Sequence, residues 1–193
     1  MPKVHDRGGE LEELLRRLPA FPDHLPTLDE GALPESPEAL FLDWLEDAIE
    51  SGARQPHAMS FVTSRGDGTP VARTLILKAF DRHGYHFSTN RTSRKGLELE
   101  SQPRASMLFF WRESGRQVRI TGTVVLLDRA TSLRDWQQRP TYDGAPNPDW
   151  QRYALAADEF EFMQARHDRN HSRIEYLRDD TGWTRGRVPT PAG

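Results

Sequence analysis

The run Arg73-Thr74-Leu75-Ile76-Leu77-Lys78 leads through the turn Asp81-Arg82-His83-Gly84 to Ser88-Thr89-Asn90, and then to Ser93-Arg94-Lys95. An apolar segment with a cation at each end reads as a strand, and a second strand ends on Ser-Thr-Asn. Ser93 is placed to cap a short helix. Arg94 and Lys95 then fall in its first turn, where the helix dipole disfavours positive charge. Cations there, free backbone N–H groups at a helix start and nearby hydroxyls together suit an anion, with phosphate the expected one. Taken alone, Ser93-Arg94-Lys95 would be an ordinary solvated cluster. The cations and hydroxyls converging from the two strands favour the phosphate.

Outward from this stretch, the chain reads as strands and turns. Ala58–Ser64 is a strand closed by the turn Arg65-Gly66-Asp67-Gly68. Val71–Phe80 is apolar enough to predict a strand buried on both faces. Tyr85–Thr89, Arg104–Trp111 and Gln117–Leu127 follow, then Phe160-Glu161-Phe162, and last a hairpin of Arg173–Leu177 and Trp183–Val188 about Asp179-Asp180-Thr181-Gly182. Helices are predicted from Ser93 to before Pro103 and over Ala130–Gln138. Another starts at Ser36-Pro37-Glu38, carries Phe41, Trp44, Leu45 and Ala48 on one face, and ends at Gly52. Thr141–Trp150 is a loop. The pattern is mostly antiparallel β with peripheral helices, a barrel or sandwich. Residues 36–193 form the domain, and residues 1–35 an N-terminal arm. In the arm, residues 1–9 are expected to be disordered, Glu10–Leu18 is a short amphipathic helix, and a Pro-rich linker follows that would wrap its own domain or a partner subunit.

Composition narrows the function. The net charge is −3 with 28% charged residues, which argues against a general nucleic-acid binder. No apolar run approaches the ~18–20 residues of a membrane span. There are no cysteines, which excludes disulfides, thiol catalysis and Cys-ligated metal. With no apolar leader at the N-terminus, a cytoplasmic address is expected. No GxGxxG, P-loop or Gly-x-Ser-x-Gly elbow occurs. His167 and His171 have the i, i+4 spacing of a zincin helix, but the Glu after the first His is absent and no third ligand is identifiable, so no metal is expected. Trp136, Trp150 and Trp183 read as core or interface residues.

The opening motifs belong to an ordered set with Arg116-Gln117-Val118, Arg139-Pro140, Glu161-Phe162-Met163-Gln164 and Arg169-Asn170-His171-Ser172-Arg173. Over roughly residues 37–188 this set resembles the pyridoxamine 5′-phosphate oxidase family of FMN enzymes. The resemblance implies an FMN-binding split β-barrel that forms a homodimer, with two flavin sites at the subunit interface. It assigns Arg73, Thr89, Arg94 and Lys95 to the FMN phosphate and ribityl chain, and Leu75, Ile76, Leu77, Lys78 and Gln117 to the flavin ring. Thr74, Ser88, Ser93, Met163 and Arg173 complete the cofactor set. Arg169 and His171 become the catalytic pair over a small-molecule substrate, and Lys78, Asp135, Arg139 and Asp143 join them in the substrate pocket. Period-2 spacing would put Arg169, His171 and Arg173 on one face of an extended strand.

Three departures from the family pattern stand out. Asp135 and Asp143 replace the Tyr and Ser that flank the family's phosphate-binding arginine, which is Arg139 here. Met163 replaces a Trp. A Gln-Ser flavin contact and the helices after it are missing, and the chain reads as about thirty residues short between Trp150 and Phe160. The cofactor contacts are thus largely kept and the substrate contacts altered. The expected function is an FMN-dependent two-electron oxidase, with pyridoxamine or pyridoxine 5′-phosphate as the family substrate. Open alternatives are a phenazine-biosynthesis-like oxidase of a reduced tricyclic aromatic, a non-catalytic flavin-binding protein, and a deazaflavin-dependent reductase on the same barrel.

Overall fold

The computed structural model describes residues 8–19 and 21–188. Their elements in order are α1 (Gly8–Arg16), α2 (Pro37–Glu50), β1 (Ala58–Ser64), β2 (Pro70–Ile76), β3 (Ala79–Asp81), β4 (Gly84–Asn90), α3 (Arg94–Ser101), β5 (Arg104–Trp111), β6 (Arg116–Leu126), α4 (Arg129–Gln137), β7 (Trp150–Gln164), β8 (Ser172–Asp179) and β9 (Gly182–Arg187). The disorder expected for residues 1–7 lies outside the described residues; Gly8 and Gly9 already belong to α1.

One nine-stranded sheet holds the fold, in the order β2-β1-β5-β6-β7-β4-β3, with β8 paired to β7 and β9 to β8. Every pairing is antiparallel. The ends of the path approach each other where the chain leaves β2: Leu77 N–H donates to the His57 carbonyl and Lys78 N–H to the His86 carbonyl. The sheet wraps one core in which Phe61, Phe87, Met107, Phe109, Ile120, Phe160 and Phe162 are fully buried. Strict alternation in β5 and β6 supplies this inward face.

Helix α2 closes one side of the core. Ser36 caps it by accepting from Ala39 N–H, Pro37 opens it, and Gly52 beyond its end sits at φ +74°. Phe41 meets Tyr85 and Phe109 edge-on, and Trp44 meets Phe162 edge-on. Arg116 clamps the helix from the other side. It lies 4.6 Å from the Trp44 ring, donates to Asp47 at 2.6 Å and reaches Gln164 at 3.1 Å.

The arm folds over its own chain. Tyr176 Oη donates to the Pro34 carbonyl at 2.8 Å, Arg185 to the Leu33 carbonyl at 2.6 Å, and Arg187 pairs with Glu30 at 3.0 Å. The four leucines of the first helix region, Leu11, Leu14, Leu15 and Leu18, stay 54–59% exposed.

Two expectations are corrected. The apolar run Val71–Phe80 is two strands, and β2 is half-exposed, because it pairs only with β1 and its last residues turn toward β4. Phe160–Phe162 is the tail of a 15-residue strand that begins at Trp150. Its middle, residues 154–159, is rich in Ala and acids and has poor strand propensity; pairing with β6 along one edge, and with β4 and β8 toward the two ends of the other, imposes the conformation. The strand runs unbroken through the stretch from Trp150 to Phe160 in which the chain reads as short.

Gly96 fixes how closely α3 packs on the end of β4. A Cβ there would sit 2.1 Å from the Arg91 carbonyl oxygen, a backbone atom that cannot swing away. Gly96→Ala should therefore cost about 3 kcal/mol, a fall in Tm of roughly 5–10 °C for a domain of this size. Calorimetry that finds an unchanged Tm would contradict the packing described.

Candidate active site

The site residues fall into three groups, two of which share β4. The first is a cradle at the start of α3. Ser93 is its N-cap: the hydroxyl accepts from Gly96 N–H at 3.2 Å and donates to the Asn90 carbonyl at 2.7 Å. Lys95 Nζ donates to Thr89 Oγ1 at 3.1 Å, and that hydroxyl lies 3.2 Å from Ser93 Oγ. Arg94 is exposed and makes no side-chain hydrogen bond among the described residues. Arg73 reaches in from β2 and pairs with Glu98 at 2.6 Å, while Thr63 bonds to both. Burial lowers the Lys95 pKa, and the Arg73 charge lowers it further against the pull of Glu98. Arg73, Arg94 and Lys95 against Glu98 leave the cradle with an excess of two positive charges, which matches a phosphate dianion.

The second group is a notch under α4, on the other face of β4. Thr89 shares the inward face with Phe87, and its neighbour Ser88 faces outward beside Asp135. The Ser88 hydroxyl is shut off from solvent beside the Asp135 carboxylate. Asp135 accepts from Lys78 Nζ at 2.8 Å, Arg152 Nη1 at 2.6 Å and Trp150 Nε1 at 2.7 Å. Burial pushes the Asp135 pKa up, but Lys78, the Ser88 hydroxyl and Trp150 outweigh it and hold the carboxyl below its usual range. The Arg139 guanidinium lies 4.4 Å from the Trp150 ring centre and 5.5 Å from that of Trp136. Asp143 is exposed and accepts from Ala145 N–H within its own loop, away from the notch. Thr74 is exposed on β2, Leu75 and Ile76 are half-buried, and Leu77 is buried.

The third group stands on the outward face of the sheet at the far end of β7. Gln117 pairs across to Met163, and Met163 to Arg173, so the three form a row over β6, β7 and β8. In the next row Glu161 binds Arg173 at 2.7 Å and Arg119 at 2.9 Å. Arg169 and His171 follow in the loop before β8. The expected extended strand is not there: Arg169 has φ +61° and sits in a turn. A left-handed conformation at a non-glycine residue is uncommon and costs about 1–2 kcal/mol. The turn still brings Arg169 and His171 together, and with Phe21, Arg166 and His167 they border a cavity of about 100 Å³. His171 Nδ1 accepts from Arg166 N–H at 3.0 Å, so the neutral ring carries its proton on Nε2. Burial lowers the His171 pKa, as do the Arg173 and Arg169 charges.

The third group is remote from the first two. Thr89 is opposite Gln151 and Gln117 is opposite Met163, twelve residues farther along β7. That is a contour on the order of 40 Å at ~3.3 Å per residue. A cavity of about 240 Å³ beside Arg91, Gly96, Leu99 and Tyr153 adjoins α3 at the cradle end.

Sequence reasoning missed Glu98, which neutralises Arg73, as well as Arg152 and Glu161. Their roles depend on pairings between elements far apart in the chain. Trp136 and Trp150 flank Arg139. A signal for Trp136 was present, since it precedes Arg139 by three residues and so shares its side of the helix end.

Comparison with known proteins adds the lineage. Residues 45–164 match the family model described as pyridoxamine 5′-phosphate oxidase, and residues 150–188 that of the pyridoxine 5′-phosphate oxidase C-terminal dimerisation region. A pyridoxine/pyridoxamine 5′-phosphate oxidase of Rubrobacter xylanophilus is 34% identical, covering 83% of this chain and 89% of its own. That alignment runs over 194 positions, while 83% of this chain is about 160 residues, so roughly thirty positions are gaps on this side. The corresponding protein of Bordetella pertussis is also 34% identical, over 79% of this chain and 89% of its own. Among solved structures, PhzG from Burkholderia lata 383 in complex with tetrahydrophenazine-1-carboxylic acid has a TM-score of 0.77 at 28% identity, covering 85% of this chain and 98% of that one. An FMN-binding protein from Nostoc punctiforme shares the fold, with a TM-score of 0.67 at 18% identity over 82% of this chain and 99% of that one. With its sheet, its helices and two adjoining family matches in register, this chain belongs to the pyridoxamine 5′-phosphate oxidase family.

Proposed function

We propose that the protein is an FMN-dependent oxidase that takes two electrons from a small heteroaromatic substrate, at a site built by two copies of the chain. The observation that carries this reading is the cradle at the start of α3. Its excess of two positive charges, its hydroxyls and its half-buried Lys95 make a donor set that fits the phosphate of FMN. Bound flavin would supply a hydride acceptor, with oxygen regenerating it.

The chain's own residues supply binding and orientation. Arg94, Lys95 and Thr89 hold the phosphate. Arg73 supports Lys95 from behind, with its own charge answered by Glu98. Gln117, Met163 and Arg173 form the surface for the flavin ring, and Arg173 offers a cation where reduced flavin gathers negative charge. Since this row is on the order of 40 Å of strand from the cradle, the ring surface for one cradle comes from a second copy. The match to a C-terminal dimerisation region over residues 150–188 supports that arrangement, because β7 and β8 carry the row. His171, neutral with Nε2 as donor, and Arg169 orient the substrate over the ring. Lys78, Asp135 and Arg139 receive its far end.

Pyridoxamine and pyridoxine 5′-phosphate remain the family substrates. A second reading, a reduced tricyclic aromatic, is favoured by Asp135 in the notch and by the likeness to PhzG.

Two outcomes are expected. The protein should bind FMN with one flavin per chain and bind riboflavin much more weakly. Arg94→Ala with Lys95→Ala removes two charge-assisted contacts of ~1.5–3 kcal/mol each and should weaken FMN by more than tenfold. Fluorescence titration giving equal affinities for FMN and riboflavin would remove the phosphate assignment. Separately, His171 should titrate below the ordinary value of about 6.5. Its folded-state pKa is depressed, so its protonation penalises the folded state as pH falls below that value. Arg173→Gln removes a repelling charge and should move the His171 midpoint upward by NMR. A midpoint unmoved by that change would mean that the two groups do not interact.

A further inference from the structure

Three cations reach the notch under α4, and only one carboxylate answers them. Asp135 is 6% exposed and is fully engaged by Lys78, Arg152 and Trp150. Lys78 and Arg152 are therefore already spent on an internal partner. Arg139 differs. It pairs with no carboxylate among the described residues, and its guanidinium is flanked by Trp150 and Trp136, whose ring centres are 5.4 Å apart; its Nε, like that of Arg152, is buried without an acceptor.

We propose that Asp135 determines the specificity of this notch: by holding Lys78 and Arg152 it leaves Arg139 as the one available cation, so the site takes a planar aromatic monocarboxylate and turns away phosphate monoesters. The inference rests on the oxidase reading above and deepens it.

Arginine suits the task. Its planar fork matches one carboxylate in a bidentate pair, and its face stacks on aromatic rings. The partly exposed Trp136 beside it offers flat apolar surface to a fused ring. The summed charge of the notch would attract any anion at long range, so what discriminates is the supply of donors at contact distance. A phosphate dianion needs a second cation. To free Lys78 or Arg152, it would have to strip a buried carboxylate of its partners and then lie beside that carboxylate, a like-charge contact in a poorly solvated site. Asp143, in its own exposed turn, takes no part.

The test compares naphthoate with naphthyl phosphate, which share a ring and differ only in the anion. Calorimetric titration is done on the protein as purified, with its flavin content read from the absorbance spectrum. The wild type should bind naphthoate at least tenfold more tightly than naphthyl phosphate. Asp135→Asn keeps the shape and releases Lys78 and Arg152, and should shift the ratio at least tenfold toward the phosphate. Arg139→Gln should abolish naphthoate binding. A wild type that prefers naphthyl phosphate, binds both alike or binds neither would overturn the proposal, as would a ratio unmoved in Asp135→Asn. Should that variant not fold, the wild-type ratio and Arg139→Gln decide. Titration needs no turnover, so a protein that fails to bind added FMN yet discriminates the two anions would refute the oxidase reading and leave the specificity intact.

Discussion

The constraint on which the site depends is the length of β7. This strand pairs with β4 through its first half and with β8 through its second, while β6 follows it along both. The cradle hangs on one end and the Gln117–Met163–Arg173 row on the other. Pairing to β6 runs through the middle of the strand, past a register shift opposite Thr121 and Gly122, and keeps the two ends on one continuous element. Within a single chain the two halves of the proposed flavin site stay apart, and a two-fold pairing of chains is the simplest way to bring unlike ends together. The cavities at the two ends are separate: one of about 240 Å³ beside Arg91, Gly96 and Leu99, and one of about 100 Å³ at Arg169 and His171.

Two clusters of cations, back to back on β4, show how partners rather than counts set the chemistry. In the cradle, Glu98 answers Arg73 and leaves Lys95 and Arg94 uncommitted to any carboxylate. The Lys95 side chain is partly desolvated and sits beside another cation, which is the state of a group waiting for an anion. In the notch, one carboxylate occupies two cations at once. Both places are basic by composition, yet only the first has uncommitted cations in number to match a dianion.

Much of the fold was legible because local rules and tertiary packing agreed. Ser36 and Ser93 are caps in the sequence and caps in space, and the strands Ala58–Ser64 and Arg104–Trp111 alternate as their pattern requires. Legibility failed where neighbours decide the conformation. The Ala-rich middle of β7 is a strand because its neighbours in the sheet pair with it. The run from Val71 to Phe80 splits because its end is shared between partners, and Arg169 leaves the expected strand for a left-handed turn. The site was legible to the same degree. Motif order named the cradle and the distal row, but Glu98, Arg152 and Glu161 gain their roles from contacts across 25, 17 and 12 positions of sequence. Asp135 was visible as a substitution, and its effect was not, because that effect lies in which cations it removes from play.

The composite site has a direct test in mixed dimers. One variant carries Arg94→Ala and Lys95→Ala, and the other carries Arg173→Ala. Each alone should hold FMN poorly. When the two are co-expressed and the mixed dimer is isolated by two different tags, one site combines both damaged halves and the other combines two intact ones. The account predicts that the mixed dimer binds one FMN per dimer with wild-type affinity. If the mixed dimer binds no better than its parents, each site is made within one chain, and the account of β7 as the separator of two half-sites is wrong.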